Sequence, residues 1–265
     1  MIIDFHTHGK LAKYLAFSPD YTDWLFASAK RAGLDALCLT EHFNTQGFQQ
    51  VYADISSRYP RVGDAFDVNG LLVFPGMEVD IAERGHTLVL GSMEDILAFN
   101  RALEPHKMKD AFLPFDELAD EVERRGLHFG AGHPFRAPGR IPELTCDQLR
   151  RFEFVDLNGK DLSHDRTRTV ERTYAFAERI GGVPVVSGSD THQAFQYGCV
   201  VTRMARTCTT FDELFEQVHE RAYQIEFAED LEFRVLTAAT LKRALKEIDR
   251  LGGSYVETIL AGPAA

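Results

Sequence analysis

His6 and His8 stand two residues apart at the end of an apolar run near the start of the chain, with Asp4 two residues before them. In an extended strand, residues two apart face the same side. An H-x-H pair placed there presents two imidazoles to one ion, with Asp4 on the same side to orient them. Asp190 and His192 repeat the spacing late in the chain. Between them, Glu41 and His42, Glu78 and Asp80, His86, His133, and Asp156 with Asn158 each fall at an end of a short apolar run. His106, His128, His164 and His219 fall elsewhere and carry no role. Imidazoles and carboxylates gathered in a core need something to satisfy them. A divalent metal does this, and this ligand set suits zinc, iron or manganese.

The elements that position these residues follow from the apolar runs. Strands are expected over residues 2–5, 36–39, 71–74, 87–90, 127–131, 154–157 and 183–186. Helical spacing of apolar residues fits 21–32, 46–58, 115–125, 166–180, 211–221 and 241–251, several of them closed by glycine. Strand–helix alternation argues for a parallel sheet under helical cover. If that sheet closes into an α/β barrel, the C-terminal strand ends converge on one face. Residues far apart in sequence then meet. The expectation is a single barrel domain over 1–251 and a loosely held tail over 252–265.

Bulk properties narrow the function. The formal net charge is −11, which argues against a broad basic surface and makes long nucleic acid an unlikely partner. It does not exclude a small phosphorylated substrate, because a metal cluster reverses the local field. Cys38, Cys146, Cys199 and Cys208 form no C-x-x-C pair, a pattern that fits a reducing compartment. No apolar run approaches the length of about 18 residues that spans a bilayer. With the first strand beginning at Ile2, no leader is expected and a cytoplasmic location is. Oligomeric state leaves no mark in the sequence.

The D-F-H-T-H of residues 4–8, L-T-E-H of 39–42, P-G-M-E of 75–78, G-H-P-F of 132–135 and G-S-D-T-H of 188–192 resemble, in order, the motifs of the PHP (polymerase and histidinol phosphatase) family of metal-dependent phosphoesterases. The resemblance covers about the first two hundred residues. It implies a distorted (β/α)7 TIM-like barrel with two or three divalent transition metals (Zn, Fe or Mn) at the C-terminal strand ends. Carried over motif by motif, His6, His8, Glu78 and Asp190 hold one ion. Glu78, His133 and His86 hold a second, and His42 and His192 a third. The sequence departs from the family at residues 9–14, where three-metal members supply a further ligand and this chain reads G-K-L-A-K-Y.

The expected reaction is hydrolysis of a phosphate ester, such as histidinol phosphate or a nucleotide-like monoester. His42 and Asp190 are the candidate catalytic groups, with His42 or a metal-bound water protonating the leaving group. Arg136, then Arg140, then Lys10 are the candidate substrate cations, since guanidinium grips phosphate at two points. Two alternatives stand beside this one. An amidohydrolase-like enzyme acting on a non-phosphate ester, lactone or amide commonly adds a lysine at a middle strand end, and Lys160, just past Asn158, is the nearest. A non-catalytic metal-binding barrel would be expected to have lost some of the ligand residues.

Overall fold

A computed structural model describes residues 1–261. Its strands are β1 (Ile2–Thr7), β2 (Ala36–Leu39), β3 (Arg61–Val62), β4 (Ala65–Val68), β5 (Leu71–Asp80), β6 (His86–Leu90), β7 (His128–Gly132), β8 (Phe154–Asn158), β9 (Val185–Gly188), β10 (Val200–Met204) and β11 (Tyr223–Phe227). The helices are α1 (Pro19–Arg31), α2 (Phe48–Arg58), α3 (Met93–Ala102), α4 (Phe115–Arg124), α5 (Cys146–Leu149), α6 (Gly159–Leu162), α7 (Arg166–Arg179), α8 (Phe211–His219), α9 (Leu231–Arg250) and α10 (Tyr255–Leu260).

The main path of the sheet runs β11-β10-β1-β2-β5-β6-β7-β8-β9. Its last strand returns to β1. The Asp190 amide donates to the His6 carbonyl at 2.7 Å and the His8 amide to the Thr191 carbonyl at 3.0 Å, so the barrel nearly closes at the end that carries the histidines. The distorted TIM-like barrel expected from the sequence is therefore the fold.

The expected all-parallel pairing holds only in part. β1-β2, β2-β5, β7-β8 and β8-β9 are parallel, but β6 runs antiparallel to both β5 and β7, and β10 antiparallel to β1. The short loop between Asp80 and His86 leaves no room for a crossover helix, so the chain turns straight back. This reversal carries the start of β6, not its end, to the histidine face, where Asp80 pairs with His86 and His86 with Gly132.

Opposite β2, the ten-residue β5 serves two further partners in succession: β4 from Leu71 to Val73 and β6 from Gly76 onward. Pro75 sits at the changeover, where no ladder donor is needed from it. The next amide, of Gly76, donates to the Tyr52 hydroxyl on α2 at 3.0 Å. A side chain at Gly76 would meet Leu90 at 2.6 Å, so the two strands approach as closely as they do only because the residue is glycine.

Two apolar clusters flank the strands. Ile3, Phe5, Phe74, Leu88 and Phe154 belong to one, and Leu37, Leu39, Val73 and Val155 pack with helical residues such as Leu25 and Val51 in the other. Helix ends are set locally. Ser18 caps α1 ahead of Pro19, and Thr210 with Glu213 forms a capping box on α8. The stretch expected as a loose tail contains α10, whose Tyr255 is buried edge-on to Tyr21 at 5.4 Å between ring centres.

Replacing Tyr52 by Phe strands the buried Gly76 amide and should lower unfolding free energy by about 1–3 kcal/mol. Denaturant titration of the two proteins reads this directly, and an unchanged midpoint would refute the role of the hydroxyl.

Candidate metal centre

Glu78, near the C-terminal end of β5, lies at the centre of the site and is only 1% exposed. Its Oε2 faces His42 Nδ1 at 2.7 Å, His8 Nε2 at 3.5 Å and His6 Nε2 at 3.6 Å. Its Oε1 meets His133 Nε2 at 3.0 Å and also contacts His86 Nδ1. Burial alone would push this carboxyl up, but the charges of His42, His86 and His6 outweigh it and hold it well below the usual carboxylate range.

Three sets of donor atoms are close enough to share an ion: His6, His8 and Asp190; His6, Glu78 and His133; and His8, His42 and His192. Within each set the donors lie within 4.8 Å of one another. The partition differs from the one the motifs imply. His8 joins the His42–His192 pair, its ring stacking on His192 with centres 3.9 Å apart, and His6 serves two sets. His86 stands beside the second set, 3.1 Å from His133 Nε2.

His6 Nε2, both ring nitrogens of His8, His42 Nδ1 and Glu78 Oε2 are buried without a properly aligned hydrogen bond. Buried polar atoms are almost always paired, so a cluster of unpaired lone pairs facing one another fits a cation. The clusters have the donors for one or more divalent metal ions.

A ring of neighbours fixes these side chains. Asp156 on β8 takes His6 Nδ1 at 2.9 Å, which leaves Nε2 for the cluster. The Lys10 carbonyl does the same for His192 Nδ1 at 2.9 Å. Asp80 holds His86 Nε2 at 2.9 Å and Lys13 at 3.1 Å. Glu41 accepts the amides of Gly9 and His42.

Asp4 does not join the donors, consistent with an orienting role. The pairing of β1 with β2 shifts register between Asp4 and Thr7, breaking the strict alternation assumed for a regular strand. Asp4 Oδ1 instead accepts the His6 amide at 3.1 Å and the Ser189 amide at 2.9 Å, lacing β1 to the loop after β9. Burial pushes its carboxyl up to about 7. His133 and Asp190 both adopt positive φ, 27° and 56°, a region that side-chain-bearing residues enter rarely. Such strain is retained where the surroundings fix it, as here just beyond the ends of β7 and β9.

The candidate substrate cations fare differently from one another. Arg136 reaches the cluster, but its guanidinium is engaged by Asp190, by Asn158 and, at 2.8 Å, by Asp161. Lys10 is buried and donates to Thr45 Oγ1 at 3.0 Å and to the Gln46 carbonyl, so its ammonium is not open to a substrate. Arg140 points to solvent near Glu143. The sequence marks Lys160 only as the nearest lysine for an amidohydrolase-like site, not as a cation for a phosphate substrate. Its place one residue into α6 hides its reach, yet Nζ lies 2.7 Å from Asp190 Oδ1. The sequence marks Asp156 only as a polar residue near a strand end, and its hold on His6 appears with the fold.

Next to His86 and His133 opens a cavity of about 540 Å3, with Arg136, Phe112, Ile141 and Arg84 among its lining. Two glycines let its loops approach: a side chain at Gly85 would meet Ile141 at 2.5 Å, and one at Gly139 the Arg136 carbonyl at 2.7 Å.

No protein-family model matches the chain, and no curated protein does. Solved structures do. PsfC from Pseudomonas syringae PB-5123 superposes with a TM-score of 0.74 at 24% identity, over 92% of this chain and 98% of its own. The lesion-specific endonuclease PfuEndoQ from Pyrococcus furiosus gives 0.59 at 16% identity, over 85% of this chain but 58% of its own. A complex of endonuclease Q with a 27-mer duplex substrate bearing an abasic lesion gives 0.59 at 18% identity, over 82% and 56%. At such identities the likeness establishes the fold. It also overturns the exclusion of nucleic acid drawn from net charge, since a protein containing a barrel of this fold is seen with a 27-mer duplex substrate whose abasic lesion lies at the active site. Fold and donor clusters together support a metal-dependent hydrolase. No described helix is long and apolar enough to cross a membrane.

Elemental analysis of protein purified without chelator should find transition metal, sharply reduced in a His6→Ala, His8→Ala double variant. Asp156→Asn should weaken metal affinity about 10–100-fold, chiefly by releasing His6 Nδ1. A metal-free parent after reconstitution with manganese, iron and zinc would refute the centre.

Proposed function

We propose that the chain is a metal-dependent phosphoesterase of the PHP kind that acts on a small phosphate monoester. His6, His8, His42, Glu78, His86, His133, Asp190 and His192 are its metal-holding residues. The observation that carries the reading is the set of buried, unpaired imidazole and carboxylate atoms around Glu78. Ions held there would supply Lewis acidity and lower the pKa of bound water.

The protein's own groups do the rest. Asp156 and the Lys10 carbonyl set the tautomers of His6 and His192. Lys160 and Arg136 bring two positive charges to Asp190, beside the cluster, where a phosphoryl group's negative charge has to be balanced. Burial and the neighbouring His8 act to lower the His42 pKa, which falls to about 4 against the pull of Glu78. A lowered pKa favours the uncharged ring, the form in which an imidazole can ligate a metal.

A second reading, hydrolysis of a lactone, amide or non-phosphate ester, draws on Lys160, whose amine reaches the cluster from the middle of the chain. A panel of phosphomonoesters, an oligonucleotide, lactones and carboxylic esters, offered to manganese-, iron- and zinc-loaded protein, separates the two. The expected result is metal-dependent release of phosphate from a monoester, reduced at least about 100-fold by Glu78→Gln. Turnover of lactones or carboxylic esters with no phosphate release would replace the first reading by the second.

A further inference from the structure

Three loops surround the cavity beside His86 and His133. The turn between β5 and β6 contributes Arg84, the segment before α4 contributes Lys109 and Phe112, and the loop after His133 contributes Arg136 and Ile141. They are tied together. The Ala82 amide donates to the Leu113 carbonyl at 2.9 Å, and the Arg140 amide to the Arg84 carbonyl. Arg84 itself has φ 71°, so its backbone is held in a strained turn between the strands that carry Glu78, Asp80 and His86. Arg84 thus sits on the same hairpin as the candidate ligands.

The cavity is graded in character. Its lining includes His86 and His133 of the donor cluster and the apolar Phe112, Ile141 and Pro138. Arg84 and Lys109, both exposed, add positive charge to the lining. Nearby carboxylates are turned elsewhere: Glu83 accepts the Phe115 amide at 3.0 Å, and Asp80 is taken by His86 and Lys13. Among the described residues, no carboxylate lies within 4.0 Å of the Arg84 or Lys109 charge. In a protein of net charge −11, two unpaired cations in one cavity stand out. A volume of about 540 Å3 is in the range that holds a whole small molecule, far more than a phosphate group needs.

We infer that Arg84 and Lys109 form a second anion-binding subsite, and that the preferred substrate is a phosphate ester whose leaving group carries its own phosphate or carboxylate. The metal-holding side takes the scissile phosphoryl group, the apolar flanks take the body of the leaving group, and the two cations take its distal anion. The inference rests on the phosphoesterase reading for the scissile group, but the subsite can be measured without turnover.

Titration calorimetry of manganese-loaded protein with non-hydrolysable phosphonates provides the test. Propylphosphonate offers one anion, ω-phosphonocarboxylates offer a phosphonate and a carboxylate, and α,ω-bisphosphonates offer two phosphonates, the two-headed probes spanning two to six carbons. At least one two-headed probe should bind tenfold or more tightly than propylphosphonate. That preference should vanish in the Arg84→Ala, Lys109→Ala variant, whose exposed substitutions leave the melting temperature as the check on folding. A winning bisphosphonate identifies the distal anion as phosphate, and a winning phosphonocarboxylate as carboxylate. Equal affinities across the series, or a preference that survives in the variant, would overturn the subsite. A two-headed preference in a parent protein that hydrolyses no phosphoester, lost in the variant, would instead sink the phosphoesterase reading and leave the subsite standing.

Discussion

The carboxylate of Glu78 is the constraint on which the rest of the site depends. It is buried at the end of β5 with imidazoles on both of its oxygens. A lone charge taken out of water at such a place is costly unless opposite charge or a cation meets it. Here the surrounding donors come from β1, from the segment after β2, from the start of β6 and from the end of β7. The barrel must bring all of these to one point, and the near-closure of β9 onto β1 adds Asp190 and His192 to them.

Holding many imidazoles in one place requires that each be fixed individually. The fold does this with groups that face away from the donors: Asp156 on His6, the Lys10 carbonyl on His192, Asp80 on His86. Local backbone distortion contributes as well. The register shift in β1 and the positive φ values of His133 and Asp190 aim side chains where regular strand geometry would not. Preorganisation of this kind fixes ring orientation and tautomer before any ligand arrives.

Positive charge is divided around the cluster in a way that net charge conceals. Lys160 and Arg136 converge on Asp190, Lys10 is consumed in a structural contact, and Arg84 and Lys109 remain open in the cavity. A chain of net charge −11 therefore presents a locally cationic entrance. The same lesson applies to nucleic acid: overall acidity is a poor guide to what a metal-bearing cleft of this fold admits.

The sequence by itself determined the barrel, most strand positions and the residue types of the cluster. Apolar runs ending in histidine or carboxylate are a local signal, and His6, His8, His42, Glu78, His133, Asp190 and His192 could be read from it. Tertiary structure alone decided how those residues are grouped, because the His8 ring can stack on His192 only once β1 and the β9 end meet. It also decided that β6 runs backwards, a consequence of the short loop before it that brings His86 to the face from the start of a strand. The cations were the least legible. The reach of Lys160, the burial of Lys10 and the exposure of Arg140 depend on which way long flexible side chains leave their loops, and that is set by packing partners distant in sequence.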